Sequence, residues 1–182
     1  MPFLPSLRAG ASLIDVFRAY PETSKPLIEF HEALLRGPSP FSVAERELIA
    51  AYVSGLNRCR FCHGVHTATA ERLGIAQGLI PRLVREPESL DAADNMRPVL
   101  AFARKLTLEP HGMSEADADA VLAAGWDESA IYHAAAVTAL FNFMNRLVEG
   151  VGIELEPSYV EPASQRLAER GYLPLIEMMK MK

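Results

Sequence analysis

Cysteine is scarce in this sequence: its 182 residues hold two, Cys59 and Cys62. Basic residues form no stripe either. The 18 Lys and Arg are scattered and the formal net charge is −5, so no nucleic-acid surface is expected. No apolar run approaches the ~20 residues that a membrane-spanning helix needs. The N-terminal stretch lacks a basic segment leading into a continuous apolar one, because Pro2, Pro5, Arg8 and Asp15 interrupt it. No secretory signal is therefore read, and a cytoplasmic protein is expected. In a reducing compartment, two cysteines three apart point to reactive or metal-binding roles rather than to a permanent cross-link. Sustained apolar–polar alternation, the mark of half-buried strands, is missing as well. So are long linkers and low-complexity stretches.

What remains is helical. Hydrophobic residues make up 49% and charged residues 23%, ordinary usage for a soluble globular chain. Ser42 and Glu45 form a capping-box pattern before "RELIAAYVSGL", with Gly55 near that helix's end. Asn57 can cap a second helix running through "RCRFCHGVHTATAERL" to Gly74. Ser114 with Asp117, and Asp127, mark two further starts, at "SEADADAVLAAG" and "ESAIYHAAAVTALFNFMNRLVEG". "SKPLIEFHEALLRG" reads as a helix with Pro26 in its first turn, and "DNMRPVLAFARKLTL" as one that starts or kinks at Pro98. Two short helices, "EPASQRLAERG" and "PLIEMMKMK", follow. The expectation is one all-α domain over residues 1–182, a helical bundle of about eight helices with its motif core at 42–74.

The chemistry concentrates in "CRFCHGVH", Cys59 to His66. This run fits a redox dithiol, a metal site or the C-x-x-C-H signature of c-type haem attachment. At ~100° per residue, Cys59, Cys62, His63 and His66 would share one helix face. Zinc has suitable ligand types here, but Cys59 and His66 on one helix would stand ~10 Å apart along the axis, and no other cysteine exists to complete the site. Haem attachment generally needs export. A thioredoxin-like dithiol needs a sheet. The favoured reading is a redox dithiol on an all-α scaffold, with Cys59 near a helix N-terminus that favours a thiolate and His66 one turn beyond Cys62. No metal or other cofactor is expected. Glu45 is accounted for by capping, and His63 reads as a packing or surface residue.

An all-α chain with Glu, twelve residues to C-x-x-C, then His four residues after the second cysteine resembles the alkylhydroperoxidase D-like group of the carboxymuconolactone decarboxylase superfamily, specifically its peroxidase-related branch. The stretch that carries the resemblance is "ERELIAAYVSGLNRCRFCHGVHTATAERLG", supported by the later "FNFMNRLVEGVGI". Glu47, Cys59, Cys62 and His66 fall on the family's four functional positions. One position departs from the pattern: relatives of the namesake carry histidine just before the second cysteine, where this chain has Phe61.

The resemblance implies a thiol-dependent peroxidase for a small hydroperoxide. Cys62 would attack, Cys59 would resolve, and Glu47 would orient His66 as proton acceptor. The helix-end argument, by contrast, makes Cys59 the more acidic thiol. A lipoyl-type or thioredoxin-type dithiol would return the protein to its reduced form. Homo-oligomers (dimer, trimer or hexamer) are implied too, consistent with the all-round apolar run "AAAVTALFNF" at residues 134–143. Two other readings stay open, a redox sensor or scaffold without turnover and a lactone decarboxylase that does not use the thiols.

Overall fold

A computed structural model describes residues 2–87 and 92–181. Ten α-helices and no strand occur among these residues. In chain order they are α1 (Leu13–Ala19), α2 (Pro21–Arg36), α3 (Val43–Leu56), α4 (Arg60–Arg72), α5 (Leu79–Arg85), α6 (Met96–Leu108), α7 (Glu115–Ala123), α8 (Glu128–Gly150), α9 (Pro157–Arg170) and α10 (Pro174–Lys180). The all-α, single-domain expectation holds. The two helices beyond the expected eight, α1 and α5, are each seven residues long, too short to show a period of 3.6 in the sequence.

Most starts follow the capping chemistry. Ser42 Oγ accepts from the Glu45 N–H at 3.2 Å, and Glu45 Oε2 accepts from the Ser42 N–H at 2.7 Å. Such a cap contributes about 1 kcal/mol. Ser114 and Asp117 repeat the arrangement before α7, and Asp127 caps α8 through the Ala130 N–H. α6 begins two residues before Pro98, where a missing N–H costs no helical bond. The start of α2 needs correction. It begins at Pro21, so Pro26 sits inside the helix rather than in its first turn. Pro21 is itself suited to the first helical position.

α3 is the axis of the bundle. Its run Arg46–Ser54 is buried without a break, which requires partners on every side. α2, α4, α5, α6 and α8 all pack on it. α4 is clasped between α3 and α9, while α1 and α10 pack together. Phe41, Ile49, Val53, Val99, Val137 and Phe141 form the fully buried centre. No described helix is long and apolar enough to cross a membrane. The run at 134–143 is only partly buried: Ala134, Val137 and Phe141 face the core, while Ala139 and Phe143 are exposed.

Candidate active site

The turn from α3 to α4 presents the thiols. α3 ends in a Schellman motif, with Cys59 N–H donating to the Ser54 carbonyl and Arg58 N–H to the Gly55 carbonyl, both at 3.0 Å. Arg58 holds the left-handed position at φ 57°, where a non-glycine side chain costs about 1 kcal/mol. This turn corrects the expected helix start. Cys59, not Asn57, is the N-cap of α4, and Asn57 closes α3 instead. The Asn57 amide is engaged elsewhere, donating to Asn142 Oδ1 at 3.1 Å and Asn145 Oδ1 at 2.9 Å on α8.

The same turn separates residues expected on one face. Cys62 and His66 line a partly open apolar cavity of about 60 Å³ with Phe61, Phe141 and Tyr172 among its walls. Cys59 and His63 border a separate, open cleft of about 250 Å³ together with Arg58, Arg60 and Arg85. No lining residue is common to the two. Cys59 lies ahead of the helix proper, so helical angles do not apply to it. His63 is one residue past Cys62, a rotation of ~100°. Its Nδ1–H donates to the Ala51 carbonyl at 2.9 Å, fixing the ring against α3. Both cysteines are buried free thiols.

Behind the cavity sits Glu47, with no exposed surface. Oε2 accepts from His66 Nδ1 at 2.6 Å, and Oε1 accepts from Arg36 Nη2 at 2.7 Å and from the Tyr172 hydroxyl at 2.9 Å. Burial pushes the carboxyl upward, but the opposing pull of His66 and then Arg36 prevails and holds it at about 2. Glu47 is therefore ionised. With Nδ1 given to Glu47, Nε2 is the ring nitrogen of His66 left for a second partner. His66 also meets Phe141 edge-on at 4.6 Å, which restrains the ring.

The two thiols are unequal. The Cys62 side chain beside it, helped by the Cys62 backbone N–H, holds Cys59 below the ordinary thiol range against burial and the Glu149 carboxylate. Cys62 is pushed well above that range, first by the neighbouring Cys59 sulfur and then by burial, while Asn145 pulls the other way. Of the two, Cys59 gives up its proton first and Cys62 holds its own more firmly. No hydrogen bond joins His66 to either sulfur among the described residues, so a proton passing between Cys62 and His66 needs a small movement or a water.

Glu47, Cys62 and His66 are thus brought together from α3 and α4, while Cys59 borders the separate cleft. Sequence reading missed Arg36, Tyr172 and His31. His31 lines the cavity, donates Nδ1–H to the Leu27 carbonyl at 2.8 Å, and is lowered to about 4 chiefly by burial. None of these carries a local signal, since Tyr172 lies 125 residues from the carboxylate it serves. Phe61, in the position where the family pattern has histidine, is an apolar wall tilted on Tyr159 at 5.4 Å. Among the described residues no group of three or more His, Cys, Asp or Glu is arranged to hold a metal ion.

Fold and site together define an all-α protein that sets one of two neighbouring thiols, Cys62, in a cavity beside a buried carboxylate–imidazole pair. The carboxymuconolactone decarboxylase family model matches residues 21–105, the span from α2 into α6. A peroxidase-related protein from Silicibacter sp. TM1040 superposes with a TM-score of 0.75 at 27% identity, over 81% of this chain and 77% of that one. A second peroxidase-related protein, from Ralstonia eutropha JMP134 and described as an alkylhydroperoxidase AhpD core, gives 0.74 at 23% identity over 80% and 76%. The debrominase Bmp8, in complex with 2,3,4-tribromopyrrole, shares the fold at a TM-score of 0.70 and 17% identity, over 86% and 81%. No curated protein matches the chain significantly. The chain is thus similar to the carboxymuconolactone decarboxylase family over residues 21–105 and shares its fold with solved peroxidase-related proteins.

Proposed function

We propose that the protein is a thiol-dependent peroxidase that reduces small hydroperoxides through a Cys59/Cys62 dithiol–disulfide cycle. One observation carries this reading: Cys62 and His66 line the same apolar cavity, and His66 is fixed there by Glu47. A hydroperoxide in the cavity meets the sulfur and the acid–base group together.

Cys62 gives its proton to His66 Nε2, and Glu47 stabilises the imidazolium that forms. The Cys62 sulfur then attacks the terminal peroxide oxygen, the O–O bond breaks, and His66 returns the proton to the leaving alkoxide. The products are an alcohol and a Cys62 sulfenic acid. Cys59, the more acidic thiol, attacks that sulfenic acid, releasing water and forming the disulfide. A dithiol of lipoyl or thioredoxin type supplies two electrons and two protons to regenerate both thiols. The open cleft beside Cys59 supports its approach from that side.

A homo-oligomer belongs to the same reading. Tyr132 and Phe143 are 64% and 52% exposed on α8, eleven residues apart and so on one stripe. An apolar stripe of this kind suits a second copy of the chain. Light scattering is expected to exceed the monomer mass of 20.0 kDa. A monomer at micromolar concentration overturns this part.

The deciding experiment is hydroperoxide consumption by purified protein with a panel of dithiol reductants. Continued turnover is expected. Oxidation of one equivalent followed by arrest identifies a redox sensor. Activity on a lactone that survives alkylation of both cysteines identifies a decarboxylase.

A further inference from the structure

One wall of the apolar cavity carries a cation that the peroxidase cycle does not use. Arg166, on α9, lines the space shared by Cys62 and His66. Its Nε is buried without a partner. Arg36 has an unpartnered Nε too, but its Nη atoms are bound to Glu47 and to the Leu35 and Leu167 carbonyls. Arg166 makes no hydrogen bond or ion pair among the described residues.

The acids near it are occupied. On the same helix, Glu161 pairs with Arg72 and Glu169 accepts from Gln165 at 3.0 Å. Glu47 is taken by its three donors. No Asp or Glu lines the cavity, whose other walls are mostly aliphatic and aromatic. Arg166 carries a planar fork suited to a carboxylate, and its buried Nε–H without an acceptor is a cost that such a ligand removes.

We infer that the cavity takes a compact apolar acid, an organic hydroperoxide with a carboxylate that Arg166 binds while its peroxide end meets Cys62. The inference rests on the peroxidase reading for the reacting group only. Recognition of the acid stands on the cavity and on Arg166. The space of about 60 Å³, well under the ~150 Å³ of a cavity that holds benzene, favours a short-chain acid over a ring or a long acyl chain.

The test has two arms. In the first, propionate and its neutral isostere propionamide are titrated into the intact reduced protein, and binding is read by calorimetry and by thermal shift. Propionate is expected to bind more tightly by about tenfold, with the preference lost in Arg166→Gln and partly kept in Arg166→Lys. In the second arm, kcat/KM is compared for ethyl hydroperoxide and its carboxylated analogue, 3-hydroperoxypropionate. The wild-type ratio favours the acid, and Arg166→Gln lowers that ratio through KM.

No preference for propionate, or a preference that survives in Arg166→Gln, overturns the inference. So does an equal fall for both hydroperoxides, which would assign Arg166 to the chemistry at sulfur. If neither hydroperoxide is consumed, the peroxidase reading fails while the first arm still decides Arg166. Far-ultraviolet dichroism of each variant separates lost binding from lost folding.

Discussion

Cys59 and Cys62 are three residues apart and live in different surroundings. Cys62 looks into a small, less open apolar cavity beside a histidine held by a buried carboxylate. Cys59 floors an open cleft rimmed by three arginines and a second histidine held only by a backbone carbonyl. The more acidic sulfur is on the open side, and the sulfur with the acid–base partner is on the closed side. Thiol acidity and access to catalytic machinery are therefore separable. The Cys62 side chain, helped by its backbone N–H, supplies the first, while the second needs side chains converging from other helices.

The largest effect should come from exchanging the sulfurs. Cys62→Ser is expected to lower hydroperoxide consumption by about a thousandfold or more. Cys59→Ser should consume one equivalent and stall as a Cys62 sulfenic acid that dimedone traps. If dimedone instead labels Cys59 in the Cys62→Ser protein at the wild-type rate, acidity outweighs position and the two roles exchange.

The closed side next loses its carboxylate. Glu47→Gln should slow the first step by about a hundredfold. It also leaves the Arg36 guanidinium partly buried without its counter-ion, at about 3 kcal/mol, or roughly 10 °C in Tm. Stopped-flow oxidation and thermal melts read the two effects. A melt equal to wild type would show that Arg36 finds another partner.

His31, on the closed side, predicts a pH effect of intermediate size. Its folded value is depressed from 6.5 to about 4, so the unfolded chain takes up the proton first. Stability is full above pH 6.5 and is lost as pH falls from there toward 4. Urea unfolding at pH 7 and pH 5 should differ by about 2 kcal/mol through this residue. The corresponding difference should vanish in His31→Leu, whatever that change does to stability at pH 7.

The smallest effect is on the open side. Arg58→Gly removes the left-handed strain and should raise stability by about 1 kcal/mol while raising KM for the dithiol reductant and not for the hydroperoxide. A more stable protein with an unchanged reductant KM would remove the open cleft from the cycle.

The helical architecture was legible because capping residues such as Ser42, Ser114 and Asp127 act on their own backbone neighbours. Placement of Glu47 near His66 was legible for a related reason, since consecutive helices joined by a short turn pack on each other. What sequence reading could not give was the division between the two sides. It assumed helical angles through Cys59, and the Schellman turn put that residue outside the helix. The supports of Glu47 were hidden because Arg36 and Tyr172 come from α2 and from beyond α9, brought in by tertiary packing alone. Arg166 reads in sequence as one more charge on an amphipathic helix.

Gly171 has one further consequence. It turns the chain at φ 67°, and a Cβ there would lie 2.5 Å from a Glu32 carboxylate oxygen. That close passage lets the Tyr172 N–H donate to the same oxygen at 2.7 Å while its hydroxyl reaches Glu47. On the ribosome, both thiols, the histidine and the glutamate are made more than a hundred residues before the tyrosine that completes their setting. A nascent chain thus carries its cysteines in an unfinished environment until residue 172 emerges. Sensitivity to oxidants during synthesis should then differ from that of the finished molecule.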